Sequence, residues 1–252
     1  MKSFIDVVKE VRVSNAQRTN GMISIIIVTY NADAHLQACL NSIFNQKYAD
    51  IEIIIIDGKS TDDTVKIIKE NQHHIAYWES EKDSGVYDAM NKGILNISGK
   101  WVYFMGADDV LLPGFSDMVM ELTNPSGIYY GNVIAQGTKK LGELTKYQFA
   151  KFGPYHQAII YPVTVFDKYK FNTGYKISAD FALTLRLCSD KAFHFVYKDY
   201  ALADFNPTGL SANQLDIQFQ KDKAGLIFDN FGLKTWMRYK IHKLKNRQNP
   251  RA

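Results

Sequence analysis

Apolar positions in the first half of the chain come as unbroken β-branched runs separated by helical spacings. Ile23 to Val28 and Ile51 to Ile56 are continuous runs, the mark of strands covered on both faces. Between them, Leu36, Leu40, Ile43 and Phe44 recur at helical spacing over His35 to Phe44. Ser60 followed by Asp63 reads as an N-cap with an acidic partner, opening a helix through Val65, Ile67 and Ile68. A short strand over Ile75 to Trp78, a helix over Val86 to Ile97 and a strand over Trp101 to Met105 continue the alternation. Such repetition predicts an α/β fold with a mainly parallel, Rossmann-like sheet flanked by helices.

Beyond Asp109 the pattern loosens. Pro113 to Leu122 suits a helix with proline at its start. Gly127 to Val133 and Lys140 to Thr145 read as strands of a hairpin, Ser178 to Cys188 as an amphipathic helix, and Phe193 to Tyr197 as a strand. Asn213 to Arg247 reads as one or two helices, and Met1 to Asn20 as a short helix followed by a polar linker. The organisation expected is an N-terminal extension over 1–20, a main α/β domain over 21–210 with a division near 110, and a C-terminal helical basic segment over 211–252.

Composition changes this picture in two places. The two cysteines, Cys39 and Cys188, lie among apolar residues without metal-ligand spacing and read as buried thiols in a reducing compartment. The first twenty residues lack the apolar core of a signal peptide, and no apolar run reaches the ~20 residues of a membrane span. A cytoplasmic location is expected. The net charge of +4 is modest but unevenly placed. Lys234, Arg238, Lys240, Lys243, Lys245, Arg247 and Arg251 crowd the C-terminus with no acid among them. Trp236, Met237, Tyr239, Ile241 and Leu244 interleave with these cations, a pattern that suits a helix on the inner face of the cell membrane. A solvated tail is the plain alternative; nucleic acid is not the expected partner.

Candidate chemistry gathers at strand tips. The run Trp101 to Met105 stops in Gly106-Ala107-Asp108-Asp109, delivering two carboxylates to the edge where open α/β sheets bind ligands. Adjacent acids at such an edge suit a divalent cation that holds a diphosphate, since Mg²⁺ takes oxygen ligands from carboxylate and phosphate together. Strand one ends in Thr29-Tyr30-Asn31 and strand two in Asp57-Gly58-Lys59-Ser60. Parallel strands bring these tips to the same edge, adding a stackable ring and groups that hydrogen-bond a base or a ribose. Taken singly, each tip also reads as an ordinary polar turn. No Gly-x-Gly-x-x-Gly or Walker-type loop follows strand one. The stretch Asp83 to Gly93 mixes acids, lysines and glycine into a helix start, with Asp88 and Lys92 as candidates on the donor side.

Val28-Thr29-Tyr30-Asn31, Ile56 to Asp62, the Asp83 to Gly93 block and Gly106 to Asp109 occur in the order seen in family 2 glycosyltransferases, and the chain resembles the bacterial branch that builds surface polysaccharides. The resemblance is strong over Ile23 to Asp109 and weaker to about Leu187. It implies the GT-A fold, a nucleotide-sugar donor, inverting transfer to a hydroxyl of a glycan or polyprenyl-linked acceptor, and Mg²⁺ or Mn²⁺. By the same resemblance Thr29, Tyr30, Asn31 and Asp57 would hold the nucleotide. Asp108 and Asp109 would stand at the metal, Asp109 as the more direct ligand. Asp180 in Ser178-Ala179-Asp180-Phe181 would be the catalytic base, with Asp167 and Asp204 as weaker competitors. His156 and Gln157 would lie on the acceptor side. Many relatives carry an arginine where this chain has Met90, which leaves Lys92 as the candidate to neutralise the diphosphate. The loop Asn206 to Ser211 would close over the donor. The rival readings are a non-catalytic nucleotide-sugar-binding module and a nucleotidyltransferase.

Overall fold

The computed structural model describes residues 19–206 and 215–248. The helix expected before residue 19, nearly all of the 206–211 loop and the last four residues of the basic tail lie outside them. The first half alternates as expected: β1 (Thr19–Thr29), α1 (Asp33–Phe44), β2 (Ile51–Asp57), α2 (Thr64–Glu70), β3 (Tyr77–Ser80), α3 (Val86–Gly93) and β4 (Gly99–Gly106). Strands β3, β2, β1 and β4 lie side by side and parallel, with Thr29 opposite Asp57 and Val28 opposite Gly106. That register sets three strand tips level at one edge.

The continuous apolar runs are explained by two cores. Ile26, Ile54, Ile56, Val102 and Phe104 face one side, and Ile23, Ile25, Ile27, Ile53, Ile55, Tyr103 and Met105 face the other. Alternation along a strand sends neighbours to opposite faces, so both faces need apolar residues. Helices α1 and α2 cover one face and α3 the other. Gly93 lets α3 lie close, since a Cβ there would stand 2.6 Å from Ile26 Cγ2.

The second half follows as β5 (Val110–Leu111), α4 (Pro113–Val119), β6 (Gly127–Ala135), β7 (Thr138–Lys140), α5 (Lys146–Lys151), β8 (Ile159–Pro162), α6 (Thr164–Lys168), α7 (Ala179–Leu187), β9 (His194–Asp204) and α8 (Ile217–Gln248). It extends the sheet to nine strands among the described residues, ordered β3-β2-β1-β4-β8-β6-β9-β5 with β7 beside β6. Here the pairing is mixed: β8 runs antiparallel to β4 and β6, β9 parallel to β6, and β5 antiparallel to β9. The hairpin strand expected at 140–145 is shorter and earlier, because Thr145 opens α5 as a capping box with Gln148. The expected cap at Ser60 is a correction: Asp63 precedes α2 without a side-chain cap, and Ser60 binds Asp57 instead.

Helix α8 is two helical legs joined at Gly232, whose φ of 77° breaks the helical path. Its first leg packs against α7 and α5. Lys223 pins it there. Its ammonium donates to the Lys151 carbonyl at 2.8 Å and lies 4.7 Å from the Phe181 ring centroid. Burial, with lesser repulsion from Lys243 and Lys151, lowers its pKa to about 8.

Candidate active site

The β1–β2 side of the rim is zipped by hydrogen bonds between the first two strand tips. Asp57 is fully buried, and both its carboxylate oxygens are engaged. Thr29 Oγ1 donates to Oδ1 at 2.9 Å, Ser80 Oγ to Oδ2 at 2.6 Å, and Ser60 gives both its N–H, at 2.9 Å to Oδ2, and its hydroxyl. Asn31, at φ 48°, accepts from Thr61 N–H at 2.9 Å and donates its own N–H to Ser60 Oγ at 2.8 Å. Asp57, Thr29 and Asn31 therefore build the loops, and Asp57 presents no open carboxylate to a ligand as placed. Tyr30 is the side chain these loops push outward, at 66% exposure.

Asp83, which sequence reasoning passed over, completes this corner. A Cβ on Gly58 would meet Asp83 Oδ2 at 2.8 Å and the Tyr30 ring at 3.4 Å, so glycine at 58 is what lets carboxylate and ring share the space. The signal was available: Asp83 stands two residues before Gly85, and its Oδ1 accepts the Gly85 N–H at 2.9 Å. Gly85 sits at φ 127°, an angle open to glycine and rarely to other residues. Asp88 turns back on this loop, accepting from Ser84 N–H at 3.0 Å. Lys92 Nζ lies 3.4 Å from the Lys82 carbonyl. Lys176, absent from the sequence-based candidates, reaches the same loop from the other half and donates to the Ser84 carbonyl at 3.0 Å. Met90 is buried in the core and faces no ligand.

At the β4 tip the two acids part company. Asp109 is 2% exposed, and its Oδ2 accepts from Gly106 N–H at 2.9 Å and from Gln157 Nε2 at 3.2 Å. Burial pushes its carboxyl up; His156 and the Gly106 N–H pull against that, and Asp108 adds to the rise. Asp108 is only half-buried. A Cβ on Gly106 would stand 2.9 Å from an oxygen of each acid, so glycine at 106 makes room for the pair. Asp108 is therefore the more open of the two carboxylates, and Asp109 the more enclosed. The donor set is oxygen only, which suits Mg²⁺ or Mn²⁺. No group of three His, Cys, Asp or Glu side chains among the described residues could hold an ion unaided, so an ion here would complete its shell with ligand oxygens.

Asp180, at the first turn of α7, closes the other side. Its Oδ2 lies 3.6 Å from His156 Nδ1, and the Tyr87 hydroxyl stands 2.7 Å from both its Oδ1 and the Ile177 carbonyl. Burial raises the Asp180 carboxyl, but His156 and the Tyr87 hydroxyl outweigh it and leave it below the ordinary range. Burial likewise lowers His156, and the charges of Asp180, Asp109 and Asp108 reverse this and raise it. His156 thus feels the charge of both the β4 acids and Asp180, and its contact is with Asp180. Gln157 is drawn to Asp109 instead. Asp216, just before α8, was also missed: it accepts from Ile177 N–H at 2.9 Å and Ser178 N–H at 3.1 Å, fixing the turn that carries Asp180. Of the competitors, Asp167 lies on α6 and Asp204 stands opposite Val110 in the β5–β9 pair. One rim thus runs from Tyr30, Gly58 and Asp83 through the Ser84–Lys176 and Tyr87–Asp180 hydrogen bonds to His156, with the adjacent Gln157 joining Asp109.

Comparison with known proteins agrees with this arrangement. The model of the family described as Glycosyl transferase family 2 matches residues 24–193. A PGL/p-HBAD biosynthesis glycosyltransferase of Mycobacterium bovis is 35% identical over 215 residues, covering 79% of this chain and 83% of the relative. Glycosyltransferase GlyA of Streptococcus pneumoniae is 40% identical over 90 residues, 34% of this chain and 13% of its own length. The fold is that of S. aureus TarS, with a TM-score of 0.65 at 18% identity over 83% of this chain; the match spans 40% of the TarS chain. TarS 1–349 in complex with UDP-GlcNAc gives 0.66 at 16% identity, over 83% of this chain and 67% of that one. Mannosyltransferase PcManGT of Pyrobaculum calidifontis, in complex with GDP-Man and Mn²⁺, gives 0.59 at 16% identity, over 83% and 62%. A sheet edge lined by Tyr30, Asp83 and Asp108, a second half that carries an acid to the same rim, and a family match spanning both halves lead to one assignment: the chain belongs to the family 2 glycosyltransferases and is a glycosyltransferase enzyme.

Proposed function

We propose that the enzyme transfers a sugar, with inversion, from a nucleoside diphosphate sugar to a hydroxyl of a glycan or lipid-linked acceptor in cell-surface glycan synthesis. The observation that carries this reading is the single rim on which Tyr30 and Asp83, the β4 acids, and the His156–Asp180 pair converge. Tyr30 stacks on the base and Asp83 accepts a base N–H, while Asp57 holds the loops that present them. Lys92 and Lys176 lie where they offset diphosphate charge. A divalent ion at Asp108 would supply neutralisation of the charge that gathers on the departing diphosphate. Asp180 takes the proton as the acceptor oxygen bonds to the anomeric carbon and the bond to the diphosphate oxygen breaks, its electron pair leaving with the diphosphate. His156 and Tyr87 hold the carboxylate in place, and one displacement inverts the configuration. The bound complexes of TarS 1–349 with UDP-GlcNAc and of PcManGT with GDP-Man and Mn²⁺ support the donor class and the ion.

The test is a thermal-shift screen of the purified protein against nucleotide sugars with and without Mn²⁺, followed by NMR of the product anomer. A bound donor raises the melting temperature. Ion-dependent stabilisation by one donor and an inverted product are expected. No stabilisation by any donor, or a retained anomer, would overturn the proposal.

A further inference from the structure

Past Gly232, the second leg of α8 turns a regular stripe of apolar side chains to solvent. Leu233, Met237, Ile241 and Leu244 are 56%, 45%, 54% and 58% exposed. Their spacing of four, four and three residues puts all four within a narrow arc of one helix face. The opposite face holds Tyr239, which is buried against the body of the protein. Lys240 borders the stripe on one side, and Lys234 and Lys245 on the other; all three are exposed. Arg238 stacks on the Tyr147 ring at 3.9 Å, and Tyr239 and Trp236 pack against the core, so the leg is fastened to the molecule behind the stripe. No Asp or Glu occurs from residue 230 onward.

We infer that the outward face of this leg, Leu233 to Lys245, is a docking surface for an anionic lipid bilayer, lying in the headgroup plane. The charge decides between occupants. A second copy of the chain would bring like-charged lysine borders together, which disfavours pairing. An anionic lipid surface attracts both borders while the apolar arc enters the acyl boundary. No helix among the described residues is long and apolar enough to cross a membrane, which agrees with lying on the surface. The first leg, Ile217 to Phe231, is about 22 Å long at 1.5 Å per residue. It joins this face to Asp216, which fixes the Asp180 turn. The inference concerns where the enzyme sits and does not depend on which donor it uses.

Co-sedimentation of the full chain with phosphatidylglycerol–phosphatidylcholine vesicles, and with phosphatidylcholine alone, tests it. Binding is expected only with the anionic vesicles, and is lost when salt rises from about 0.1 M to about 1 M, where the screening length falls to ~3 Å. Replacing Lys234, Lys240 and Lys245 by Gln should weaken binding about a hundredfold at ~1 kcal/mol per cation. Leu233→Ser with Ile241→Ser should weaken it at least about tenfold through lost apolar burial. Both sets lie on the exposed face, so unchanged melting serves as the folding control. Absence of vesicle binding by the unaltered chain, or equal binding by the serine variant, overturns the inference. So does a concentration-dependent dimer abolished by the serine variant.

Discussion

The first half of the chain and the second reach the same rim by different routes. Around β1 and β2 the rim is made of strand tips. Thr29, Asn31, Asp57 and Ser60 bind one another because the parallel register sets them level. Around Asp180 nothing is level by register. The acid comes from α7, its histidine from a 3₁₀ turn at 156–158, its tyrosine from α3, and the turn beneath it is held by Asp216 at the start of α8. The first arrangement closes its carboxylate in hydrogen bonds, while the second leaves one partly open. The two acids differ in what surrounds them: hydroxyls and an N–H close every face of Asp57, whereas the Asp180 side chain stays 19% exposed beside His156.

That contrast breaks most sharply at Asp180. Asp180→Asn should lower transfer about a thousandfold, within the usual range for a general base, while donor affinity holds. Asp204→Asn should keep most of the rate, and a reversed result would move the base to β9. Next comes Asp108→Ala, expected to lower transfer at least about a hundredfold and to erase the effect of Mn²⁺ on donor binding. Asp109→Asn should cost less in rate; comparing the two by calorimetry at fixed ion concentration separates ligand from support. Asp57→Ala should act on the fold, since it strands hydroxyls of Thr29, Ser60 and Ser80. Urea unfolding should report a loss of about 2–3 kcal/mol.

The pH prediction rests on the His156–Asp180 pair. His156 is raised in the folded enzyme, so its share of stability is full below its ordinary value of 6.5 and is lost as pH rises through the higher folded value. Asp180 is lowered, so its share is present above its ordinary value of 3.8 and is lost as pH falls through the lower folded value. The pair therefore contributes most between those limits, by no more than about 1 kcal/mol. Losing the His156 proton also removes a main cause that holds Asp180 down, so Asp180 becomes the better base. Transfer should rise over the interval in which thermal stability falls, and His156→Asn should flatten both slopes. The smallest effect is expected from Gly58→Ala. Its methyl would press on Asp83 and Tyr30, raising the donor KM about threefold, or ~0.7 kcal/mol, with kcat unchanged.

Much of the first half was legible because burial on both faces writes itself into sequence. Ile23 to Val28, Ile51 to Ile56 and Trp101 to Met105 could be nothing but covered strands, and their polar ends had to meet at one edge. The second half was less legible. Helices α5 and α6 are too short to show a period, and β9 runs on to Asp204 through the polar residues Lys198 and Asp199. The roles within the rim divide the same way. That Asp57, Asp108, Asp109 and Asp180 are candidates was readable; that Asp57 is closed, and that Asp108 is more open than Asp109, was not. Accessibility and pairing depend on groups distant along the chain.

The order of elements in the first half, the acids at the strand ends, the family and the basic apolar pattern at the C-terminus were determined by the sequence alone, since each is a property of neighbouring residues. Only the tertiary structure decided that Asp83 and Lys176 join the rim, that His156 pairs with Asp180, and that α8 secures the Asp180 turn through Asp216. Those are contacts across 24 to 92 positions of chain, and local patterning carries no record of which distant groups packing will bring together.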